Sequence, residues 1–248
     1  MKIYYSDESH ILIMGKVRLT WLGHSCFEVR SRSRLLIDPF LDNNPAATVR
    51  SGEVETDFIA VTHGHFDHLG DTVSIARRIG CRVFCIHELS QYLRSRGVLT
   101  EGMNIGGTIK LQDLAVTMTP ACHSSSIDEA GHLFDGGKAA GFIIRTGGVC
   151  IYHAGDTGLF RDMQLIGDLY KPDVAIIPIG GRYTMDANDA ALAVGMLRPK
   201  ITIPMHYNTY EHISQDPHIF SSEVKKVSDA NVVILDVNGH ICIKAKDC

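Results

Sequence analysis

The 248-residue chain lacks the features that would place it in a membrane or send it out of the cell. No apolar run approaches the roughly 20 residues that a membrane-spanning helix needs. The first ten residues, MKIYYSDESH, do not contain the apolar centre of a signal peptide. We therefore predict a cytoplasmic protein that does not associate with membranes.

An excess of basic charge is also missing. Lys and Arg number 24 against 28 Asp and Glu, which gives a formal net charge of -4. Binding to a nucleic-acid backbone requires clustered positive charge, so we expect no nucleic-acid partner. With 45% hydrophobic residues, 21% charged residues and only 8 prolines, the composition is typical of a globular protein with a substantial core.

The seven cysteines show no compact pattern of spacings; they lie at positions 26, 81, 85, 122, 150, 242 and 248. Cys81 and Cys85 resemble half of a zinc clip, but no second cysteine pair follows at a suitable distance. An odd number of cysteines without a framework fits reduced thiols. We therefore interpret them mainly as core residues.

Apolar and alternating segments predict strands in two halves of the chain, each half also containing helices. Polar residues concentrate where the strands end, and two sheets packed face to face with helices outside satisfy this pattern. Asp71 is predicted as the N-cap of the helix that follows it, and Asn238-Gly239 predicts a final hairpin. Strands are predicted at 17–22, 26–30, 34–38, 58–62, 81–86, 140–145, 149–153, 174–179, 201–204 and 232–237, with two more within 108–119 and helices at 71–79, 88–96 and 187–197.

No linker or low-complexity segment interrupts the chain. We therefore expect one α/β domain over residues 16–248, preceded by an N-terminal extension of residues 1–15 to which we assign no function. We expect a small-molecule substrate, and a homo-oligomer is left open.

The most informative segment is the apolar run at 58–62 that leads into His63-Gly-His65-Phe-Asp67-His68. Side chains two apart on an extended backbone project to the same side, so His63 and His65 can share one cation. Asp67 and His68 would then turn toward another. Imidazole suits zinc and similar cations, and a carboxylate reduces the repulsion between two close dications. The segment predicts a two-metal hydrolytic site, with a merely His-rich polar loop as the alternative.

Three further candidate ligands follow apolar strands in turn-rich contexts. They are His123 in PACHSSS, Asp156 in AGDTG and His206 in IPMHY. Together with the four residues of the central loop they would make a set of seven ligands.

This order of motifs resembles the metallo-β-lactamase superfamily. The resemblance implies a four-layer αββα sandwich with a dinuclear metal site at the sheet edges. The landmarks WLGHSCF, LIDPFL, TMD and MHY are similar to a branch of uncharacterised metal-dependent hydrolases related to ascorbate-6-phosphate lactonases, and they span residues 21–207.

The resemblance also implies ligand roles and a reaction. One metal ion would bind three histidines, a second would bind two histidines and an aspartate, and Asp156 would bridge them. Zinc is favoured, with manganese, nickel and iron as alternatives. Two dications roughly 3.5 to 4 Å apart lower the pKa of a shared water enough to yield hydroxide near neutral pH. That hydroxide would attack a small anionic ester, lactone or phosphodiester, and Asp67 would transfer protons. The ligands of the first metal ion would be His63, His65 and His123, and those of the second would be Asp67, His68 and His206.

Four other polar residues are assigned roles around the ligands. Asp38 is expected to accept the remaining ring N–H of a ligand histidine. His24 is expected to contact substrate or donate a proton, or else to bond the loop backbone. Arg182 would meet a phosphate or carboxylate group of the substrate. Asp186 is interpreted as the N-cap of the helix that follows it.

Serines 124 to 126 lack a nucleophile-elbow motif, so we interpret them as hydrogen-bonding residues around His123. The remaining histidines, at positions 10, 87, 132, 153, 212, 218 and 240, are interpreted as surface or core residues, and His153 is the one nearest to a ligand position.

Three other functions compete with the hydrolase. A nuclease of the same fold would need a basic groove or an RNA-binding arm, and neither is evident. Iron-dependent redox relatives carry Glu where this chain has His65, and they are linked to a flavodoxin-like domain that is not found here. A non-catalytic metal-dependent interaction or sensor domain would be expected to lose a ligand, and none is missing.

Overall fold

The computed structural model describes residues 3–4 and 16–245. Its strands are β1 Ile3–Tyr4, β2 Lys16–Gly23, β3 Cys26–Arg30, β4 Arg34–Ile37, β5 Phe58–Ala60, β6 Arg82–Ile86, β7 Leu99–Met103, β8 Thr108–Leu111, β9 Leu114–Pro120, β10 Ser126–Glu129, β11 His132–Asp135, β12 Ala140–Thr146, β13 Val149–His153, β14 Val174–Pro178, β15 Ile201–Met205, β16 Asn231–Val232 and β17 His240–Lys244. Its helices are α1 Phe66–Leu69, α2 Thr72–Ile79, α3 His87–Ser95, α4 Met163–Tyr170, α5 Ala187–Leu197 and α6 Pro217–Val227.

The strands form two large sheets. The first has the order β1-β17-β2-β3-β4-β5-β6-β7, and the second has the order β16-β15-β14-β13-β12-β9-β8. In each sheet an antiparallel part continues into a parallel part, which runs from β4 to β7 in the first and from β13 to β16 in the second. The carboxyl ends of parallel strands therefore meet at one edge of each sheet, where ligand sites form in such folds.

One hydrophobic core joins the two sheets. Strand β2 contributes Val17 and Leu19 and strand β12 contributes Phe142 and Ile144, all completely buried. Helices cover the sheets: α3 packs on β6 and β7, while α5 packs on β14 and between α4 and α6. The mixed α/β architecture with two packed sheets, predicted from the strand pattern, is confirmed.

Most predicted elements are present, including the antiparallel β2, β3 and β4, the hairpin of β12 and β13, and helix α5 at the predicted bounds. Asp186 caps α5, because its carboxylate accepts hydrogen bonds from the backbone N–H groups of Asn188 and Asp189, both at 2.9 Å. The sequence analysis did not identify α4, α6, β7 or the β10–β11 hairpin.

The predicted final hairpin is wrong. A turn does form at Asn238-Gly239, but β17 pairs with β2 in the first sheet, while the short β16 pairs with β15 in the second. Trp21 bonds across this turn, donating its backbone N–H to Gly239 and accepting from Asn238. The turn thus carries the chain from one sheet to the other, and the predicted strand over 232–237 is largely absent.

Asp71 occupies the N-cap position of α2 as predicted, and its carbonyl accepts from Ile75, but its side chain does not cap the helix. Its backbone has φ -88° and ψ 13°, and its side chain makes no capping hydrogen bond. The carboxylate instead accepts hydrogen bonds from the backbone N–H groups of Leu41 at 2.8 Å and Asp42 at 3.0 Å. Asp71 therefore fixes the loop that follows β4.

Of the predicted N-terminal extension, the structure describes β1, whose Ile3 and Tyr4 pair with Ile243 and Cys242. The other residues of that segment, including His10, lie outside the described residues, as does Cys248. Within residues 3–4 and 16–245, no helix combines the length and apolar character needed to cross a membrane.

A polar cluster connects the two sheets at the carboxyl end of β3. Asp113, in the turn between β8 and β9, accepts hydrogen bonds from the hydroxyl groups of Ser31, Ser33 and Thr146. Burial opposes ionisation of Asp113, but the three hydroxyl donors outweigh it and lower the pKa of the carboxyl to about 2. The carboxylate thus joins turns from both sheets.

Replacing Asp113 with asparagine is expected to lower the free energy of unfolding at pH 7 by about 1–3 kcal/mol, since hydrogen bonds to a charged acceptor are lost. The folded-state pKa of about 2 lies below the ordinary 3.8. The carboxylate therefore stabilises the fold above pH 3.8, and this contribution is lost as the pH falls toward 2. Urea unfolding across this range measures the difference, and an equal difference at pH 7 and pH 2 would contradict the prediction.

Candidate metal centre

Histidine and aspartate side chains from both sheets meet at the edge where β4, β5, β13 and β15 end. The structure brings together every residue predicted as a metal ligand, with His24 and Asp38 beside them. Their nitrogen and oxygen atoms form groups in which all atoms lie within 4.8 Å of one another. The groups are His24, Asp67, His68 and His206; His63, His65 and His123; and His63, His68 and Asp156.

In the second of these groups, two imidazole nitrogens face each other. His63 Nε2 lies 2.9 Å from His65 Nδ1, and the ring of His123 lies 5.0 Å from that of His63 and 5.1 Å from that of His65. The Thr62 hydroxyl donates to Asp38, so it accepts from His63 Nδ1. His63 Nε2 is then the nitrogen with the lone pair, and it points into the group, toward His65 Nδ1.

His68 is oriented in the same way. Its Nδ1 lies 2.7 Å from Asp38 Oδ2, which leaves Nε2 facing Asp156 Oδ1 at 3.3 Å. Burial disfavours a charge on His68, but the carboxylates of Asp156 and Asp38 outweigh burial and raise its pKa. A positive charge here, either a proton on His68 or a bound cation, would balance the two carboxylates.

Asp156 contacts histidines of both predicted sets. Its Oδ2 lies 3.0 Å from His206 Nε2 and 3.7 Å from His123 Nε2, in addition to the Oδ1 contact with His68. Burial opposes its ionisation, but His206 and His68 hold its pKa well below the usual range. Gly155 before it has φ +63°, and a Cβ there would lie 2.4 Å from the carbonyl oxygen of Ala140. Only glycine permits this approach.

Several buried polar atoms at this edge have no hydrogen-bond partner within the described part of the chain. They include His68 Nε2, Asp156 Oδ1 and His206 Nδ1. Buried polar atoms are normally paired, so a group of unpaired ones needs an explanation. Imidazole nitrogens and carboxylate oxygens with free lone pairs are suitable ligands for divalent cations such as zinc. The donor set therefore fits metal ions.

His24 is buried beside this set. Its Nε2 lies 3.2 Å from Asp67 Oδ2, and its Nδ1 lies 2.9 Å from the Thr209 hydroxyl. Burial, with the nearby charge of His206, lowers the pKa of His24 to about 4. The ring is therefore neutral at pH 7. Because a carboxylate only accepts, His24 carries its proton on Nε2 and donates it to Asp67.

Three residues at the site have left-handed backbone although they are not glycine. The φ angles are +53° at His24, +45° at Asp38 and +57° at His206. Such conformations are strained and persist only where the surroundings hold them. The carbonyl of His24 accepts both the Trp21 indole N–H at 2.9 Å and the backbone N–H of His206 at 3.0 Å.

The structure does not place Arg182 in the metal centre. Arg182 is exposed, and its guanidinium carbon lies 5.6 Å from the centre of the Tyr183 ring. The serines after His123 contact the central loop: Ser124 Oγ lies 3.4 Å from His65 Nε2, and Ser125 Oγ accepts the backbone N–H of Gly64.

An open cavity of about 610 Å³ lies over the metal centre. Its lining includes residues that the sequence analysis did not single out. The available signal was position, because Tyr210 and His212 follow His206 closely and Tyr183 follows Arg182. The lining residues are His24, His65, Phe66, Asp67, His123, Ser124, Ser126, Asp128, Leu133, Asp156, Tyr183, His206, Tyr210, His212 and Ile213.

Comparison with known proteins supports this fold. A family model described as "Beta-lactamase superfamily domain" matches residues 33–207. A "UPF0173 metal-dependent hydrolase" of Methanosarcina mazei is 52% identical over 222 residues, covering 90% of this chain and 96% of the relative. A relative of the same description from Archaeoglobus fulgidus is 50% identical over 221 residues, covering 88% of this chain and 96% of its own length.

A solved structure agrees as well. A metallo hydrolase from the hyperthermophilic archaeon Ignicoccus hospitalis superposes with a TM-score of 0.85 at 41% identity, covering 93% of this chain and all of that one. The resemblance to the metallo-β-lactamase superfamily that the motifs indicated is thus confirmed. The chain belongs to the UPF0173 metal-dependent hydrolase family within the beta-lactamase superfamily.

Proposed function

We propose that this protein is a hydrolase that uses two divalent cations to cleave an ester, lactone or phosphodiester bond in a small molecule. The observation that carries the proposal is the convergence of seven histidine and aspartate residues whose buried nitrogen and oxygen atoms are partly unpaired. Imidazole nitrogens and carboxylate oxygens gathered this closely are expected where cations bind, and family membership supports the reaction class.

The residues would divide between two cation positions that share Asp156. Zinc suits imidazole and carboxylate ligands best, and manganese, nickel or iron would also fit. When bound, the cations supply a water ionised near neutral pH and polarise the substrate oxygen. One position is formed by His63, His65 and His123, the other by Asp67, His68 and His206.

Residues of the chain itself hold the reacting groups in place. Thr62 and Asp38 orient His63 and His68 through the hydrogen bonds described above. Burial opposes ionisation of Asp67, but the hydrogen bond from His24 and the charge of His68 outweigh it and lower its pKa. Asp67 is therefore a carboxylate at neutral pH. It can accept a proton from the attacking water and pass it to the leaving group.

The cavity favours a small substrate over a nucleic acid, because none of its lining residues is Lys or Arg. A nuclease would need such residues to hold the phosphate backbone. If the substrate is anionic, as the sequence analysis expects, its charge would lie next to the cations. The cytoplasmic location and the domain start at residue 16 stay predictions, and the oligomeric state stays open.

The proposal is tested by loading the purified full chain with zinc or manganese and measuring metal content and turnover. Simple methyl esters, lactones and phosphodiesters serve as substrates. We expect two cations per chain and turnover on at least one class, lost after chelation and restored by added metal. Two bound cations with no turnover on any class would count against a hydrolase.

A further inference from the structure

Above the polar floor of the cavity, several exposed apolar side chains gather around the opening. Phe66 is 65% exposed, Leu133 is 74% exposed and Tyr183 is 53% exposed, and all three line the cavity. Exposed apolar groups that cluster at a cavity, rather than lying scattered over the surface, mark a place where a ligand is bound.

Four aromatic rings form a continuous row from the floor of the cavity to its opening. The centre of the Tyr210 ring lies 6.3 Å from that of the buried His24 and 5.6 Å from that of His212. The His212 ring in turn lies 5.5 Å from the Tyr183 ring at an angle of 86°. These distances fall in the range of favourable aromatic contacts, roughly 4.5–7 Å. We name these four residues the ring row.

The loops that carry the ring row are fixed by hydrogen bonds. Asn208 donates its backbone N–H to Ile213 at 3.0 Å, and its side chain accepts from Gln215 at 2.8 Å. In the other loop, Gly181 donates to Met185, which donates to Thr157. A wall that is ordered in advance loses little conformational entropy when a ligand binds.

The charged residues that line the cavity favour an uncharged group at the remote end of the substrate. No Lys or Arg is among the lining residues, and Asp128 is the carboxylate there outside the predicted ligand set. A negative charge on the remote end of a substrate would meet no lysine or arginine among the lining residues, and Asp128 would repel it. The Arg182 guanidinium lies outside the lining, 5.6 Å from the centre of the Tyr183 ring.

We infer that the ring row binds an uncharged aromatic group of the substrate, so that the substrate is an aryl-bearing ester, lactone or phosphodiester. The inference rests on the proposed hydrolase function and names its substrate class. The volume of about 610 Å³ lies within the usual range for organic ligands, roughly 300–1,000 Å³. Aromatic contacts with Tyr183 and His212 would hold the ring while the reacting bond faces the metal centre.

The first test compares matched substrates in the metal-loaded enzyme. Methyl phenylacetate is compared with methyl acetate and monomethyl succinate, and benzyl methyl phosphate is compared with dimethyl phosphate. We expect kcat/KM to be about tenfold higher for the aryl member in the class that turns over, because the aryl ring adds aromatic contacts and apolar burial that the methyl group lacks. Equal values for aryl, methyl and carboxylate substrates would overturn the inference.

Variants of Tyr183 test whether the preference for aryl substrates arises at the ring row. Tyr183→Ala is expected to reduce the aryl-to-methyl ratio of kcat/KM about tenfold, while Tyr183→Phe, which keeps the ring, retains most of it. The matched control is Tyr170→Ala, because Tyr170 also has an arginine, Arg145, over its ring but lies outside the cavity. An identical effect of Tyr183→Ala and Tyr170→Ala on this ratio would contradict the role of the ring row.

A binding measurement separates this inference from the hydrolase proposal. Benzyl alcohol carries no charge, and saturation-transfer NMR detects its contact with metal-free protein. We expect transfer to the phenyl protons in the wild type and the Tyr170→Ala variant and its loss in Tyr183→Ala. Binding of benzyl alcohol without turnover of any substrate would overturn the hydrolase and leave the ring row supported. Turnover with neither aryl preference nor benzyl alcohol binding would overturn the ring row alone.

Discussion

Replacing Asp156 with asparagine is expected to remove cations from both positions of the metal centre. Asp156 contacts His68, His206 and His123, so it contributes negative charge to both ligand sets. The amide keeps the volume of the side chain but not its charge. The loss in metal affinity is expected to exceed the roughly 10- to 100-fold that removal of an outer hydrogen-bond partner costs.

Metal content measured after gel filtration checks this result, with circular dichroism to show that the variant is folded. Asp168→Asn is a suitable control, because Asp168 is exposed on α4, pairs with Arg198 and does not line the cavity over the site. If Asp156→Asn retained two cations per chain with wild-type affinity, the proposed bridging position would be wrong.

The second large effect is expected at Asp67. Asp67→Asn removes the carboxylate that accepts a proton, and general acid–base groups contribute about 10²–10⁴-fold to rate. We expect kcat/KM to fall by about that factor at saturating metal. The three histidines 63, 65 and 123 are unchanged, so one cation position is expected to remain filled.

Steady-state kinetics with excess zinc or manganese measures this loss, and metal analysis of the same sample separates lost chemistry from a lost cation. The Asp168→Asn control should retain wild-type turnover. Wild-type kcat/KM in Asp67→Asn would exclude the proposed proton transfer by this residue. If Asp67→Asn retained both cations but turned over more slowly, Asp67 would act in acid–base chemistry and would not be a metal ligand.

Much of the metal centre was accessible from the sequence because its signals are local. His63, His65, Asp67 and His68 occupy six consecutive positions, and His123, Asp156 and His206 each follow an apolar strand. Since strand ends gather at one edge, residues placed there are expected to meet.

Contacts between distant segments could not be predicted in the same way. The hydrogen bond from His24 to Asp67 joins residues 43 positions apart and depends on the left-handed turn between β2 and β3. His212 was interpreted as a surface or core residue, yet it lies in the ring row at the cavity. Its place is decided by the turn after β15, which bends Tyr210 and His212 back over the site.

The wrong final hairpin has a related cause. Asn238-Gly239 correctly marks a turn, but turn residues do not determine which strand lies beside the next one. Strand β17 pairs with β2 in the first sheet, and that choice depends on a sheet edge formed more than 200 residues earlier.

Helix α6 was missed although Pro217 stands in its first turn and Asp216 caps it. Both signals were present in the sequence.

The left-handed backbone at His24, Asp38 and His206 opposes the stability of the fold, since each such conformation costs about 1–3 kcal/mol. Contacts elsewhere must offset that cost, and the His24 carbonyl, which accepts hydrogen bonds from Trp21 and His206, provides two of them. The geometry of the cluster is therefore maintained against the local backbone preference, and a chain with glycine at one of these positions would be relieved of that strain while holding its remaining side chains here less rigidly.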